Sequence, residues 1–426
     1  MYEGKIIKFY REKAKITQKQ LCNEICSDTH ISKIENGLMD YSPEIIPLLC
    51  KRLEIDIVRE VTQYKSLEKQ LNHLQNTIII QQVNEAKITI HGLQEHPLIY
   101  MPDFYPRFQL LVARTHMLLD EEKKAYQLLK KWKKQDLNKY ENNLFKHVLG
   151  IYYLSKKDYE NAINILQTVN QLEYNNPEYY FDLATSYHAI HSQVNAYYYA
   201  EKALQFFKRK NIFLRVIDAE MLMLMQEGFD DNRHFNEIIE KYKQLIQSCD
   251  LCHARQKKAK VLHNLAYEYF KRQKYRTAAQ LYEETMKLKK KNSESYLVSL
   301  EGYMQSCIKG NLLSYHELVK LTKDALGVAK GMKDPLYKVL FTIILHLINN
   351  QPIKYYYYLE EKALPILKKY GHVFLVKQYE TELVNYYYKN GQIEKAMHIA
   401  YHLINQSETL HSSSYAKFFT KKGELI

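Results

Sequence analysis

Residues 17–37 read TQKQLCNEICSDTHISKIENG and predict two short helices separated by a tight turn. Thr17 offers a side-chain oxygen that can cap the first helix. The apolar residues Leu21 and Ile25 lie four positions apart, which places them on one face of a helix that runs to about Ile25.

The second helix of this stretch begins at a cap provided by Ser27 or Asp28. Ile31 and Ile34 are three positions apart and are predicted to point inward. The Asn-Gly pair that ends in Gly37 is a good left-handed stop for this helix. The two short helices therefore form a predicted helix-turn-helix.

Flanking residues complete a small four-helix domain around this centre. The predicted buried stripes are Ile6, Phe9 and Tyr10 in an upstream helix, and Ile45, Leu48, Leu49 and Leu53 in a helix that follows Pro43.

A helix-turn-helix reads DNA by laying the start of its second helix in the major groove, while the first helix crosses the backbone. Gln18, near the start of the first helix, can reach a phosphate through its amide and the exposed backbone N–H groups. Basic residues dominate positions 4–19, which predicts one basic face. The side chains predicted to contact DNA are Gln18, Lys19, Ser27, Asp28, Thr29, His30 and Lys33.

The pattern T-Q-x-x-L…S-x-I-E-N-G within residues 1–60 resembles the Cro/C1-type (XRE) helix-turn-helix family. Cys22 stands where a small residue, commonly Ala, is usual, and Cys26 stands where Gly is usual. The turn is also one residue shorter, as in peptide-controlled regulators of the NprR and PlcR type. The resemblance implies a lambda-repressor-like domain with both cysteines in a cramped turn. The alternatives are a metal or redox role for the pair, and a four-helix scaffold that does not bind DNA.

Behind this domain, Leu149-Gly150 and Leu183-Ala184 are 34 residues apart and begin the same pattern of residues, which recurs along the chain. The repeated frame is an aliphatic–small pair, an aromatic residue or histidine four positions on, and alanine nine positions later. It occurs at Val112-Ala113, Leu149-Gly150, Leu183-Ala184, Leu265-Ala266 and, with Val as the second residue, Leu383-Val384. This period is the tetratricopeptide (TPR) signature. It predicts an all-α chain whose paired helices, eight or nine pairs, form a right-handed superhelix with a concave groove.

The chain divides into three predicted parts. These are residues 1–60, the DNA-binding domain; residues 61–106, a linker helix and the first helical pair; and residues 107–426, a TPR solenoid for peptide binding and oligomerisation. Within the second part, YKSLEKQLNHLQ and IIIQQVNEAKITI each predict a helix, and three prolines between 97 and 106 predict an irregular connector.

Asn264 directly precedes the Leu265-Ala266 pair. In TPR domains that this body resembles, Asn at that place hydrogen-bonds the backbone of a bound extended peptide, because an amide can both donate and accept. The alternative for Asn264 is that it satisfies a neighbouring helix, and the alternative for Arg215 is an intramolecular salt bridge. The peptide-binding candidates are Asn264, Tyr267, Arg215, His147 and Asn385.

Composition and motifs argue against other classes. Few Gly (12) and Pro (9) favour helices joined by short turns, and an excess of 13 positive charges suits a polyanionic partner. The charged first fifteen residues do not predict a secretory leader, and the apolar run 339–348 is too short to cross a bilayer. Cys249-Asp-Leu-Cys252-His253 spells a haem c attachment motif, but its place among the repeats makes it a coincidence. No nucleotide-binding or hydrolase motif is found, so neither a cofactor nor catalysis is predicted.

A reader of this type joined to a long TPR body resembles the RRNPP family of cytoplasmic quorum-sensing receptors, and most closely its NprR and PlcR members. The resemblance implies a cytoplasmic homodimer or tetramer, away from any membrane, that binds a double-stranded DNA operator and is switched by a short signalling peptide. One alternative is a Rap-like or NprR-like protein that acts mainly on a phosphorelay response regulator. Others are an AimR-like phage communication regulator and a TPR scaffold without a ligand.

Overall fold

The computed structural model describes residues 2–38, 43–133, 135–227, 235–332, 335–401 and 403. These residues are predominantly helical, and no strand occurs among them. In this part of the chain, no helix combines the length and the apolar character needed to cross a membrane.

The chain divides into two compact units, and the first comprises residues 1–155 and 164–177. Its helices are α1 (Tyr2–Lys13), α2 (Gln18–Cys22), α3 (Asp28–Glu35), α4 (Ile45–Arg52), α5 (Ile57–Ile79), α6 (Val83–Gln94), a 3₁₀ turn (Pro97–Tyr100), α7 (Tyr105–Leu118), α8 (Glu122–Trp132), α9 (Lys139–Ser155) and α11 (Gln171–Tyr174). Helix α10 (Tyr159–Leu166) has residues in both units.

The second unit comprises residues 156–163 and 178–426. Its described helices are α12 (Tyr179–Ala189), α13 (Gln193–Arg209), α14 (Phe213–Glu227), α15 (Phe235–Leu251), α16 (Arg255–Lys271), α17 (Tyr275–Lys287), α18 (Glu294–Gly310), α19 (Tyr315–Ala329), α20 (Leu336–Ile348), α21 (Pro352–Tyr358), a π-helical turn (Leu359–Ala363), α22 (Leu364–Lys369), α23 (Val373–Lys389) and helical residues at 393–401. Consecutive helices pack in antiparallel pairs, and α12, α14, α16 and α18 also touch in series, as stacked repeats require.

The small residues of the 34-residue frame lie where helices meet. A Cβ atom added to Gly150 would come within 2.4 Å of the Leu166 side chain, so only glycine permits this approach of α9 and α10. The alanines of the frame that are fully buried are Ala113, Ala125, Ala162, Ala184, Ala196, Ala266 and Ala278.

The N-terminal domain follows the predicted caps. Thr17 accepts a hydrogen bond from the Gln20 backbone N–H at 3.2 Å, and the Gln20 side chain in turn accepts from the Thr17 N–H at 2.7 Å. Ser27, rather than Asp28, caps α3 by accepting from the His30 N–H at 3.3 Å. Gly37 has a φ of 69°, which confirms the predicted left-handed stop.

Helix α2 is shorter than predicted. It ends at Cys22 instead of continuing to Ile25, because Asn23 leaves the helical region and Glu24 adopts a left-handed φ of 59°. The predicted second linker helix likewise begins late. Ile78 and Ile79 are buried at the end of α5, Gln81 has a φ of 64°, and α6 begins only after this break.

Two of the predicted stripes differ in detail. In α1 the fully buried residues are Ile6 and Ile7, while Phe9 and Tyr10 are half-buried, because α1 packs against α3, α4 and α5 at once. In α4 the predicted core residue Leu48 is 49% exposed. The buried face of α4 is formed instead by residues at positions 46, 49 and 50, which have the spacing of one helical face.

Candidate DNA interface and repeat-body site

Helix α3 presents its N-terminal end outward. Ile31 and Ile34 are fully buried, as predicted, so the exposed side chains are those on the opposite face. Thr29 and Lys33 lie four residues apart on this exposed face, and a side-chain pair at that spacing shares one side of a helix. The exposed polar residues on or beside this reading surface are Lys19, Ser27, Asp28, Thr29 and Lys33.

A buried carboxylate fixes the orientation of α3 against its neighbours. Glu35 accepts hydrogen bonds from Arg11 Nε at 2.6 Å and Nη2 at 2.9 Å. The same carboxylate accepts from Gln18 Nε2 at 2.8 Å, so it joins α1, α2 and α3. The hydrogen bond to Glu35 raises the pKa of the Arg11 guanidinium.

The Gln18 amide nitrogen is therefore engaged inside the domain. Only the backbone N–H of Gln18 is then available for the predicted contact with a phosphate, and that contact remains a prediction. His30 requires a correction. Its ring is half-buried and its Nε2 is enclosed by protein, so this nitrogen is not available to a base edge.

The Arg52 side chain caps the C-terminal end of α2. Its Nη1 donates to the Leu21 carbonyl at 2.9 Å and to the Asn23 carbonyl at 2.6 Å. These carbonyls have no partner within the helix, because the last turn of a helix leaves its acceptors unpaired. Arg52 lies about thirty positions further along the chain, and no pattern in the sequence identified it.

Two residues of the predicted basic face are paired with carboxylates. Lys5 Nζ lies 2.8 Å from Asp103, and Arg11 is paired with Glu35. Five further lysines between positions 8 and 33 are exposed: Lys8, Lys13, Lys15, Lys19 and Lys33. These lysines supply positive charge of the kind that contact with a phosphate backbone would require.

The Cys22 and Cys26 thiols do not have the environment of a reactive pair. Burial raises the pKa of Cys22 to about 11, and its Sγ donates to Asp28 Oδ1 at 3.0 Å. Burial also raises the pKa of Cys26. A thiol that stays protonated is a poor nucleophile and a poor metal ligand. Within the described ranges, no group of three or more His, Cys, Asp or Glu side chains is arranged to hold a metal ion.

In the repeat body, Asn264 and Tyr267 lie one turn apart on α16. Asn264 is half-buried, and its Nδ2 donates to the Met225 sulfur at 3.3 Å, which connects α16 to α14. Tyr267 is 40% exposed and stacks on Phe270. Thioether sulfur is a weak acceptor, so a peptide carbonyl could replace it as the partner of the amide.

A second polar cluster adjoins Asn264. Lys289 Nζ donates to Ser299 Oγ at 2.7 Å, and the same oxygen lies 3.0 Å from His263 Nδ1. Burial lowers the pKa of His263 to about 3 and that of Lys289 to about 8. No pattern in the sequence predicts this cluster, because its three members come from three separate segments of the chain.

Two of the peptide-binding candidates require correction. Arg215 is 4% exposed, with its guanidinium 3.4 Å from Asp218 and 3.7 Å from Glu178, so the intramolecular salt bridge is what the structure contains. His147, in the first unit, is 1% exposed and its Nδ1 lies 2.9 Å from the Tyr174 hydroxyl. Neither side chain is accessible to a peptide. Asn385 is exposed on α23.

Residues 7–59 match the HTH_3 helix-turn-helix family. The chain is 22% identical over 403 residues to the transcriptional activator NprA of Geobacillus stearothermophilus, covering 88% of this chain and 96% of NprA. A Rap protein complexed with competence and sporulation factor superposes with a TM-score of 0.68, 15% identity, and coverage of 82% of this chain and 99% of that one. NprR in complex with its cognate peptide NprX gives a TM-score of 0.66, 17% identity, and coverage of 80% and 99%.

These findings confirm the predicted fold class, a helix-turn-helix module followed by a helical repeat superhelix. They also confirm the predicted resemblance to the RRNPP family. The similarities found in the sequence are to a helix-turn-helix family and to a transcriptional activator.

Proposed function

We propose that this chain is a transcriptional regulator that binds an operator through α3 and is switched by a short peptide held in its repeat body. The observation that carries the first half is the outward face of α3, with Thr29 and Lys33 exposed. Glu35 and Arg52 hold that helix and α2 in place. A reading helix must be rigidly held if its side chains are to meet base edges.

The second half of the proposal rests on Asn264 and Tyr267, which share one face of α16. The solved complex of NprR with its cognate peptide supports a peptide as the ligand, and the description of NprA as a transcriptional activator supports activation as the output. In this scheme residues 1–60 bind DNA, residues 61–106 link, and residues 107–426 bind peptide and form a homodimer or tetramer. Two readers in one oligomer then engage half-sites at a spacing that the peptide changes.

A second candidate function is binding to a phosphorelay response regulator, which the similarity in fold to a Rap protein favours. Two observations favour DNA binding as the main activity. Residues 7–59 of the chain match a helix-turn-helix family, and exposed lysines lie on and beside α3.

The proposal is tested in two separate assays. Selection from a random duplex library yields an operator, and fluorescence anisotropy then measures its affinity for wild type, Lys33→Ala and Thr29→Ala. The matched control is Lys69→Ala, an exposed lysine of α5. We expect the two α3 variants to weaken binding about tenfold, with the control unchanged. Equal affinity in all four proteins would remove α3 from the interface.

For the peptide, native mass spectrometry with candidate heptapeptides reads occupancy and oligomeric state together. Asn264→Ala should lose occupancy, because its amide is proposed to hold the peptide main chain. The control is Asn292→Ala, an exposed asparagine of the loop between α17 and α18. Undiminished occupancy in Asn264→Ala would remove that residue from the site.

A further inference from the structure

The first unit contains a cavity of about 640 Å³ that is distinct from the DNA-reading surface. It lies between the proline-containing connector, residues 97–106, and the segment that joins α8 to α9. Three aromatic and three acidic residues contribute to its walls: Tyr100, Tyr105, Trp132, Asp103, Asp136 and Glu141.

The aromatic side chains form one continuous wall. The Tyr100 and Tyr105 ring centroids are 5.6 Å apart, and those of Tyr105 and Trp132 are 6.0 Å apart. The chain already places one cation against this wall, since Lys131 Nζ lies 4.9 Å from the Tyr105 centroid and 5.5 Å from that of Trp132. The faces of these rings are therefore able to attract an ammonium group.

The three carboxylates of the cavity differ in how many hydrogen bonds and ion pairs they already make within the protein. Glu141 is 4% exposed and accepts from the Asn138 backbone N–H at 3.0 Å, and its burial raises its pKa. Asp136 is exposed, and no cation pairs with it among the residues that the structure describes. Asp103 accepts from Lys5 at 2.8 Å and from the Tyr64 hydroxyl at 2.5 Å.

The charge of Arg107 acts on Glu141, where it opposes the rise in pKa, but Arg107 forms no ion pair with Asp136 in the described part of the chain. Arg107 is turned toward α5, where its Nη2 donates to Asn72 at 2.7 Å and to Gln75 at 3.0 Å.

We propose that this cavity binds an organic cation, an alkylammonium or guanidinium group, held between the aromatic wall and Asp136. Three carboxylate side chains line this cavity although the chain as a whole is basic. Aromatic walls do not coordinate a hard metal ion, whereas they do favour a weakly hydrated organic cation. The site does not depend on the proposed function, although Asp103 connects it to Lys5 of α1.

Trp132 is the single tryptophan of the chain, so its fluorescence reports on this wall when it is excited at a wavelength that the 38 tyrosines do not absorb. N-acetylargininamide serves as a probe for an arginine of a protein partner, and spermidine as a probe for a free polyamine. N-acetylcitrullinamide, uncharged and nearly the same shape, is the control for charge. We expect the tryptophan fluorescence to change saturably with at least one of the two cations, with a dissociation constant of about 1 mM. The probe that saturates at the lower concentration identifies the source of the cation.

Two variants of equal charge change decide whether the signal belongs to the cavity. Asp136→Asn should weaken cation binding about two- to fivefold, as expected for one partly exposed ion pair. Asp120→Asn, at the exposed turn before α8, should leave it unchanged. The proposal is overturned by any of three results: no saturable change with either cation up to about 10 mM, an equal change with the citrulline compound, or equal affinity in the two variants.

Discussion

Replacing Glu35 by glutamine tests whether the buried ion pair holds the reading helix. Glutamine keeps the shape of the side chain but removes the charge that balances Arg11, whose side chain is only 12% exposed. The carboxylate also accepts from Arg11 at 2.6 and 2.9 Å and from Gln18 at 2.8 Å. Removing one partner of such a pair typically destabilises by about 3 kcal/mol, because the other charge stays buried.

The assay is hydrogen exchange of the full chain, followed at the amides of α3. A local loss of about 3 kcal/mol corresponds to exchange that is about a hundredfold faster. Glu24→Gln is the control, since Glu24 is exposed at the turn after α2. If α3 in Glu35→Gln exchanged at the wild-type rate, the ion pair would not be what orients the helix.

Three further outcomes are expected. Gly150→Ala should destabilise the first unit by about 2 kcal/mol in urea unfolding, because the new methyl group meets Leu166, whereas Gly92→Ala, with open space around it, should be neutral or stabilising. Burial raises the folded pKa of Glu301 from 4.5 to about 7, so the folded state favours the protonated form and loses stability as pH rises through this window. Glu301→Gln should therefore melt at a higher temperature than wild type near pH 8 and at the same temperature near pH 4, and equal midpoints at both pH values would refute this. A plot of log binding constant against log salt concentration has a negative slope, and Lys33→Ala should reduce the magnitude of that slope by about 1. An unchanged slope would mean that Lys33 contacts no phosphate.

Local features of the sequence predicted much of the fold. The caps at Thr17 and Ser27 and the stop at Gly37 depend on neighbouring residues only, so a short stretch contains all the information. In four of the repeat frames the small residue was also predicted correctly, because the approach of two paired helices requires it; these residues are Ala113, Gly150, Ala184 and Ala266. Two helix boundaries were predicted wrongly: α2 was predicted too long, and α6 was predicted to start too early. Both helices are bounded by a left-handed residue, Glu24 or Gln81, and these residue types do not indicate a left-handed conformation in the sequence.

Contacts between distant residues could not be predicted. Arg52 reaches the end of α2 from another helix, and Glu35 joins three helices, although each is an ordinary charged residue in the sequence. Arg215 and His147 were expected at a peptide surface and lie buried instead. Polar side chains on a helix look alike in the sequence whether they face a groove or a neighbouring helix, and only the packing of the repeats decides between the two.

One experiment tests most directly whether the proposed DNA site and the proposed peptide site are separate. Operator and peptide are titrated against wild type, Lys33→Ala and Asn264→Ala, and both affinities are measured on the same preparations. We predict that Lys33→Ala weakens operator binding about tenfold and leaves peptide affinity unchanged, and that Asn264→Ala weakens peptide binding while peptide-free operator affinity stays at the wild-type value. Parallel loss of both affinities in either variant would contradict two separable sites.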